Sequence, residues 1–115
     1  MEEIKRGQFW YCDFGKASGS EQGGFRPCIV LQNDVGNAHS YTTIVAPLTT
    51  SKTKAVLPTH VAVSKGEGDL PYDSIILCEQ VRVINKSRLV NYIGKAGESF
   101  MHKVNIAAKV AIGVW

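Results

Sequence analysis

The feature that most constrains this chain is a change of period towards its C-terminus. For the first eighty-odd residues, short apolar or β-branched runs alternate with clusters of Gly, Asn, Ser and Pro. Beyond them, Phe100, Val104, Ala107, Ala111 and Val114 recur at helical spacing, with His102, Asn105 and Lys109 on the opposite side. The early runs read as strands: Phe9 to Phe14, Pro27 to Gln32, Thr42 to Pro47 and His60 to Val63. Ser74 to Ile84 reads as one or two more, because Glu79 and Gln80 interrupt it. Two longer polar loops, Lys16 to Arg26 and Thr49 to Thr59, lie between strands and are places for binding elements. Gly97-Glu98-Ser99 supplies a helix start, with an acidic residue at the positive end of the helix dipole. Many short strands and one closing helix predict a β-dominated fold: a small, strongly bent antiparallel sheet or barrel with a C-terminal helix.

With 115 residues, the chain suffices for one domain over positions 1–115 and is too short for two. The formal net charge of +3 permits a nucleic-acid partner without establishing one. No apolar run approaches the ~20 residues of a membrane helix, and the acidic start MEEIKRGQFW has no leader-like apolar stretch. Cys12, Cys28 and Cys78 are odd in number, far apart and set in apolar runs, so they read as buried structural thiols in a reducing cytosol. Without a CxxC pair or clustered ligands, no metal site or cofactor is expected. HExxH, GxGxxG, P-loop and GxSxG patterns are absent. His39, His60 and His102 are isolated in sequence and read as solvated or hydrogen-bonded structural histidines.

Three segments remain. In GSEQGGFRP, residues 19–27, the glycines let the backbone take positive φ and turn amides toward an anion. Pro27 restricts Arg26 to an extended conformation, making Arg26 the last loop residue before a strand. A guanidinium there can hold a phosphate; the alternative is a surface pair with Glu21. In APLTTSK, residues 46–52, Thr49, Thr50 and Ser51 present hydroxyls at a strand end, which also commonly just satisfy backbone groups. In CEQVRVINKSRL, residues 78–89, Glu79 and Gln80 must find polar partners or face a ligand.

In this order and spacing the three segments resemble the MazF-like family of bacterial toxins, also called the PemK or Kid type. KRGQFWYCDF at 5–14, GSEQGGFRPCIVLQND at 19–34, TTIVAPLT at 42–49, LPTH at 57–60 and CEQVRVINKSRL at 78–89 carry the likeness across nearly the whole chain. The resemblance implies an SH3-like barrel working as a homodimer. It implies a sequence-specific, metal-independent endoribonuclease of single-stranded RNA, leaving 2′,3′-cyclic phosphate and 5′-hydroxyl ends. A cognate MazE-like antitoxin would cover the RNA groove. Carried over by position, Arg26 and Thr49 are catalytic, while Ser20, Asn33, Gln80, Arg6, Glu79 and Leu57 line the RNA groove. Glu21 is the residue nearby in sequence that could accept the 2′-hydroxyl proton; base recognition or pairing with Arg26 is its other reading. Some Kid-like relatives carry a histidine where this chain has Ser20, so an acid–base role at that position does not transfer. Two other classes fit the same fold: a gyrase-binding toxin resembling CcdB, and a non-catalytic SH3-like binding module.

Overall fold

Alternation in the first strands feeds two separate cores. In β1 (Gln8–Asp13), β2 (Phe25–Val30) and β3 (Thr42–Thr49), successive residues point to opposite faces of one antiparallel sheet. Phe9, Ile29, Ala46 and Leu48 enter one core, while Trp10, Cys12, Cys28, Val30 and Val45 enter the other. Both faces of the sheet's centre are therefore buried, which is why these runs read as nearly continuous apolar sequence. Burying Phe9 or Ile29 completely contributes about 1.5–3 kcal/mol each.

The structure is a computed structural model and describes residues 2–50 and 57–114. Its remaining elements are α1 (Asp34–His39), β4 (His60–Val63), β5 (Ser74–Leu77), β6 (Arg82–Asn85), β7 (Leu89–Lys95) and α2 (Glu98–Ile112). The hydrogen-bonded path runs β4-β5-β3-β2-β1-β7, with β6 paired to β3. It is a strongly bent sheet, and this path does not close into the barrel named in the sequence-based expectation.

The bend lies in β3. Thr42 to Val45 pair with β6, whereas Leu48 and Thr49 pair with β5. Pro47 stands at the switch of partners, where its missing amide hydrogen interrupts a ladder most cheaply. The strand thus outruns its predicted end at Pro47, because β5 offers Leu48 and Thr49 a ladder. Likewise β2 begins one residue before Arg26, which pairs with Cys12 of β1 instead of ending the loop.

Two elements escaped the sequence reading. Helix α1 has only six residues and an internal Gly36, so no apolar period marks it; Asn33 caps it by accepting from the Gly36 amide at 2.8 Å. Strand β7 pairs with β1 alone among the described residues, with two register shifts, and is largely exposed, so it lacks a clean alternation. The terminal helix matches its expected span closely. Val104 and Ala107 are buried against the first core, Phe100 and Met101 partly so, and Gly113 ends the helix at φ +77°. No described helix is long and apolar enough to cross a membrane. The cysteines are buried as expected, and burial pushes the Cys28 thiol well up beside Cys12.

Candidate RNA-processing site

Antiparallel pairing brings the beginning of β2 and the end of β3 to the same end of the sheet. Arg26, second in β2, and Thr49, last in β3, both line an open cavity of about 790 Å³. Arg26 Nε donates to the Gly23 carbonyl at 2.8 Å and Nη1 to the Leu48 carbonyl at 3.4 Å. The second contact holds the guanidinium one residue from Thr49. The surface pair with Glu21 is not formed, and among the described residues Arg26 has no carboxylate partner within ion-pair distance. Asp73 also lines this cavity, but its Oδ1 already accepts from the Lys65 amide at 2.7 Å. The cavity therefore holds a permanently charged donor with spare hydrogens.

The loop before β2 is built differently from its expectation. Gly24 has φ +81°, but its amide donates back to the Gly15 carbonyl at 2.7 Å, and the Glu21 amide donates to Ser18 at 3.1 Å. These amides close the loop instead of facing an anion. Gly23 serves close approach: a Cβ there would lie 2.5 Å from the Ala17 amide nitrogen. Arg26 thus supplies the charge at this site without help from those amides.

A smaller cavity of about 200 Å³ gathers Glu21, Glu79, Gln80 and Arg82. Glu79 and Gln80 belong to a 3₁₀ turn, Cys78–Gln80, that separates β5 from β6, as their polar interruption foretold. Thr59 Oγ1 donates to Glu79 Oε1 and His60 Nε2 to Oε2, each at 3.0 Å. Burial disfavours the Glu79 carboxylate, but the hydrogen bonds of His60, its own amide and Thr59 outweigh that and hold its pKa below the usual value. Gln80 Nε2 reaches the Ser20 carbonyl at 3.5 Å, a long contact that links the turn to the glycine loop. His60 is the hydrogen-bonded structural histidine expected, with its Nδ1 buried and without a partner among the described residues.

Glu21 and Arg26 therefore line different cavities. Leu57 is 44% exposed, and Ser51 and Lys52 lie outside the described residues. Asn33 and Arg6 lie elsewhere again, near the α1 end of β2. By strand rise that places Asn33 roughly 15–20 Å from Arg26. The Arg6 guanidinium donates to the Leu31 carbonyl at 2.8 Å and to Asn105 Oδ1 at 2.7 Å, clasping the N-terminal segment to the residue after β2 and to α2. Sequence reasoning missed the aromatic wall of the larger cavity, namely Tyr11, Phe25 and Tyr72. Period-2 alternation in β1 and β2 places Tyr11 and Phe25 on one side; nothing local marked Tyr72, between two strands.

Comparison with known proteins bears on the family and the fold. The family model described as PemK-like, MazF-like toxin of type II toxin–antitoxin systems matches residues 5–112. An endoribonuclease, EndoA, of Bacillus subtilis is 42% identical over 111 residues, covering 96% of each chain. A mycobacterial endoribonuclease solved in complex with its cognate antitoxin superposes with a TM-score of 0.81 at 26% identity, over 97% of each chain. MazF from Deinococcus radiodurans shares the fold, with a TM-score of 0.83 at 21% identity over 99% of this chain and 100% of its own.

Proposed function

The chain belongs to the PemK-like, MazF-like toxin family of type II toxin–antitoxin systems, and we propose that this endoribonuclease toxin cuts single-stranded RNA at a short base motif. The observation that carries the reading is the meeting of Arg26 and Thr49 in one open cavity. In the proposed reaction the ribose 2′-hydroxyl gives its proton to solvent water and attacks the adjacent phosphorus in line. The bond to the 5′-oxygen breaks and that oxygen takes a proton from solvent, leaving a 2′,3′-cyclic phosphate and a 5′-hydroxyl. No metal is needed to supply a nucleophile that the substrate already contains. Arg26 stabilises charge gathering on the non-bridging oxygens, a role suited to a permanent charge with a phosphate-matching fork. Thr49 adds a hydroxyl to the same phosphate.

We assign Glu21 to reading a base edge, because it lines the cavity of Glu79 and Gln80 and not that of Arg26. Ser20 and Leu57 would border the RNA path beside it, whereas the contacts of Arg6 describe a structural clasp. Asn33 is too far from Arg26 to flank the same phosphate in one copy, so its place in an RNA groove favours a homodimer in which the partner supplies it. Ile106 and Ile112, 65% and 66% exposed on α2, leave apolar surface for association. A single domain over 1–115, a cognate antitoxin covering the groove and a cytoplasmic site of action complete the reading.

The test is purified protein with a long single-stranded RNA in EDTA, and a second substrate carrying 2′-deoxyribose only at the scissile nucleotide. The first should be cut at recurrent positions with cyclic-phosphate ends, and the second should bind and stay intact. Undiminished cutting of the deoxy substrate would overturn the mechanism. Binding without any cutting would reduce the protein to a binding module.

A further inference from the structure

Two large aromatic side chains left open to solvent, Phe25 and Tyr72, border the same cavity as Arg26, and adjoining exposed apolar surface beside a charged cavity is a place for a ligand. Phe25 is 59% exposed and Tyr72 is 65% exposed. Phe25 stacks on Tyr11 with ring centroids 5.4 Å apart and planes within 3°, which fixes one ring and leaves it open on the cavity side. Strand pairing explains the placement. Tyr11 pairs with Pro27, and Phe25 follows two residues away on the same face, so the two rings lie together; Arg26 belongs to the alternate face, and it shares their cavity at the end of the sheet, where its guanidinium meets the Leu48 carbonyl. Lys65 adds a cation to the same cavity.

We propose that this wall is a nucleobase-stacking subsite: a base next to the scissile phosphate stacks on Phe25, backed by Tyr11, or on Tyr72. The proposal rests on the ribonuclease reading of the same cavity. Its occupant follows from continuity with the phosphate contacts. A nucleotide whose phosphate meets Arg26 and Thr49 carries its base within one sugar's length, and every base offers a face that an aromatic ring can cover. A stacked base is held by area and not by edge contacts, so this subsite contributes affinity and alignment for the in-line attack. Selection among bases is left to the cavity holding Glu79 and Gln80. Both rings are solvent-facing, so their removal leaves the cores intact.

The experiment compares wild type with Phe25→Ala, Tyr72→Ala and Tyr72→Phe, after melting curves establish that all are folded. The substrate is the shortest RNA oligonucleotide that wild type cuts, together with copies abasic at the nucleotide on either side of the cut. Removing a stacking ring should weaken RNA binding roughly five- to hundredfold. Tyr72→Phe should restore most of any loss at that position, since stacking needs the ring and not the hydroxyl. For one abasic copy, wild type should already show the loss, and Phe25→Ala or Tyr72→Ala should add little more. Unchanged binding in both alanine variants, or losses that multiply with every abasic copy, would overturn the subsite. Because wild type must cut the oligonucleotide for the series to begin, failure of the ribonuclease reading appears first and separately.

Discussion

The two cavities differ in how their polar groups are held. In the larger one, Arg26 is tethered, among the described residues, by the carbonyl oxygens of Gly23 and Leu48, neither of which neutralises its charge. In the smaller one, the Glu79 carboxylate accepts from both Thr59 and His60, and Gln80 is linked to the glycine loop. A charge left available can answer charge developing on a phosphate, whereas groups fixed by neighbours can present a constant pattern to a base edge. The contrast assigns rate to one cavity and recognition to the other, and substitutions can break that assignment.

The largest effect is expected from Arg26→Ala. Losing one preorganised donor typically costs ~100- to 1000-fold in turnover. Melting temperature should change little, because the lost contacts are two hydrogen bonds at a partly exposed position, and RNA affinity should fall less than rate. Single-turnover cleavage, binding and thermal melting on the same preparation check this. A fall of many degrees with normal cleavage by the surviving folded protein would make Arg26 structural. Thr49→Ala should be milder, about tenfold in turnover, as suits one neutral hydrogen bond at the upper end of its usual range, about 1.4 kcal/mol. A loss that appears wholly in binding would move Thr49 from rate to recognition.

How much of this was legible in the sequence depends on how local each signal was. Arg26 was found because the glycines before it free the backbone while Pro27 after it restricts it, and β3 was found because Thr42 to Pro47 is apolar and β-branched. The bend at Pro47 was not legible, since it depends on β5 and β6 competing for one strand. Nor could Asn33 be seen to lie far from Arg26. Both flank the same short run, and only the direction of β2 places them at opposite ends. The glycine loop misled for a related reason, because amides that could face an anion find carbonyl partners within the loop once it closes.

Glu79→Gln addresses the recognition cavity and should weaken RNA binding ~5-fold while leaving saturated turnover near wild type, a loss on the scale of one hydrogen bond. The substitution also has a pH signature. A carboxyl whose pKa is lower folded than unfolded adds stability that is complete above the ordinary carboxylate pKa and is lost as pH falls through the folded value. Wild type should therefore melt above Glu79→Gln at pH 7, with the gap shrinking as pH drops below about 4. A constant gap across that range would mean that His60 and Thr59 do not favour the charged form. The recognition cavity would then lack its fixed acceptor.

The smallest effect is expected from a thiol reagent, which asks whether the turn bearing Glu79 and Gln80 is held as firmly as its contacts imply. Cys78 opens that turn and is fully buried, and burial together with the nearby Glu79 charge pushes its thiol up to about 11. At pH 8 such a thiol is almost wholly protonated, and the thiolate is the reactive form. Folded protein treated briefly with a maleimide should keep its mass and its cleavage pattern, whereas protein unfolded in guanidinium should gain three adducts, one for each cysteine. Mass spectrometry of intact and digested protein reads both outcomes. If Cys78 alone reacts in the folded protein and cleavage loses its base preference at unchanged rate, the turn opens without global unfolding. Recognition would then be assembled around the RNA, and the contrast between a held cavity and an open one would reduce to Arg26 alone.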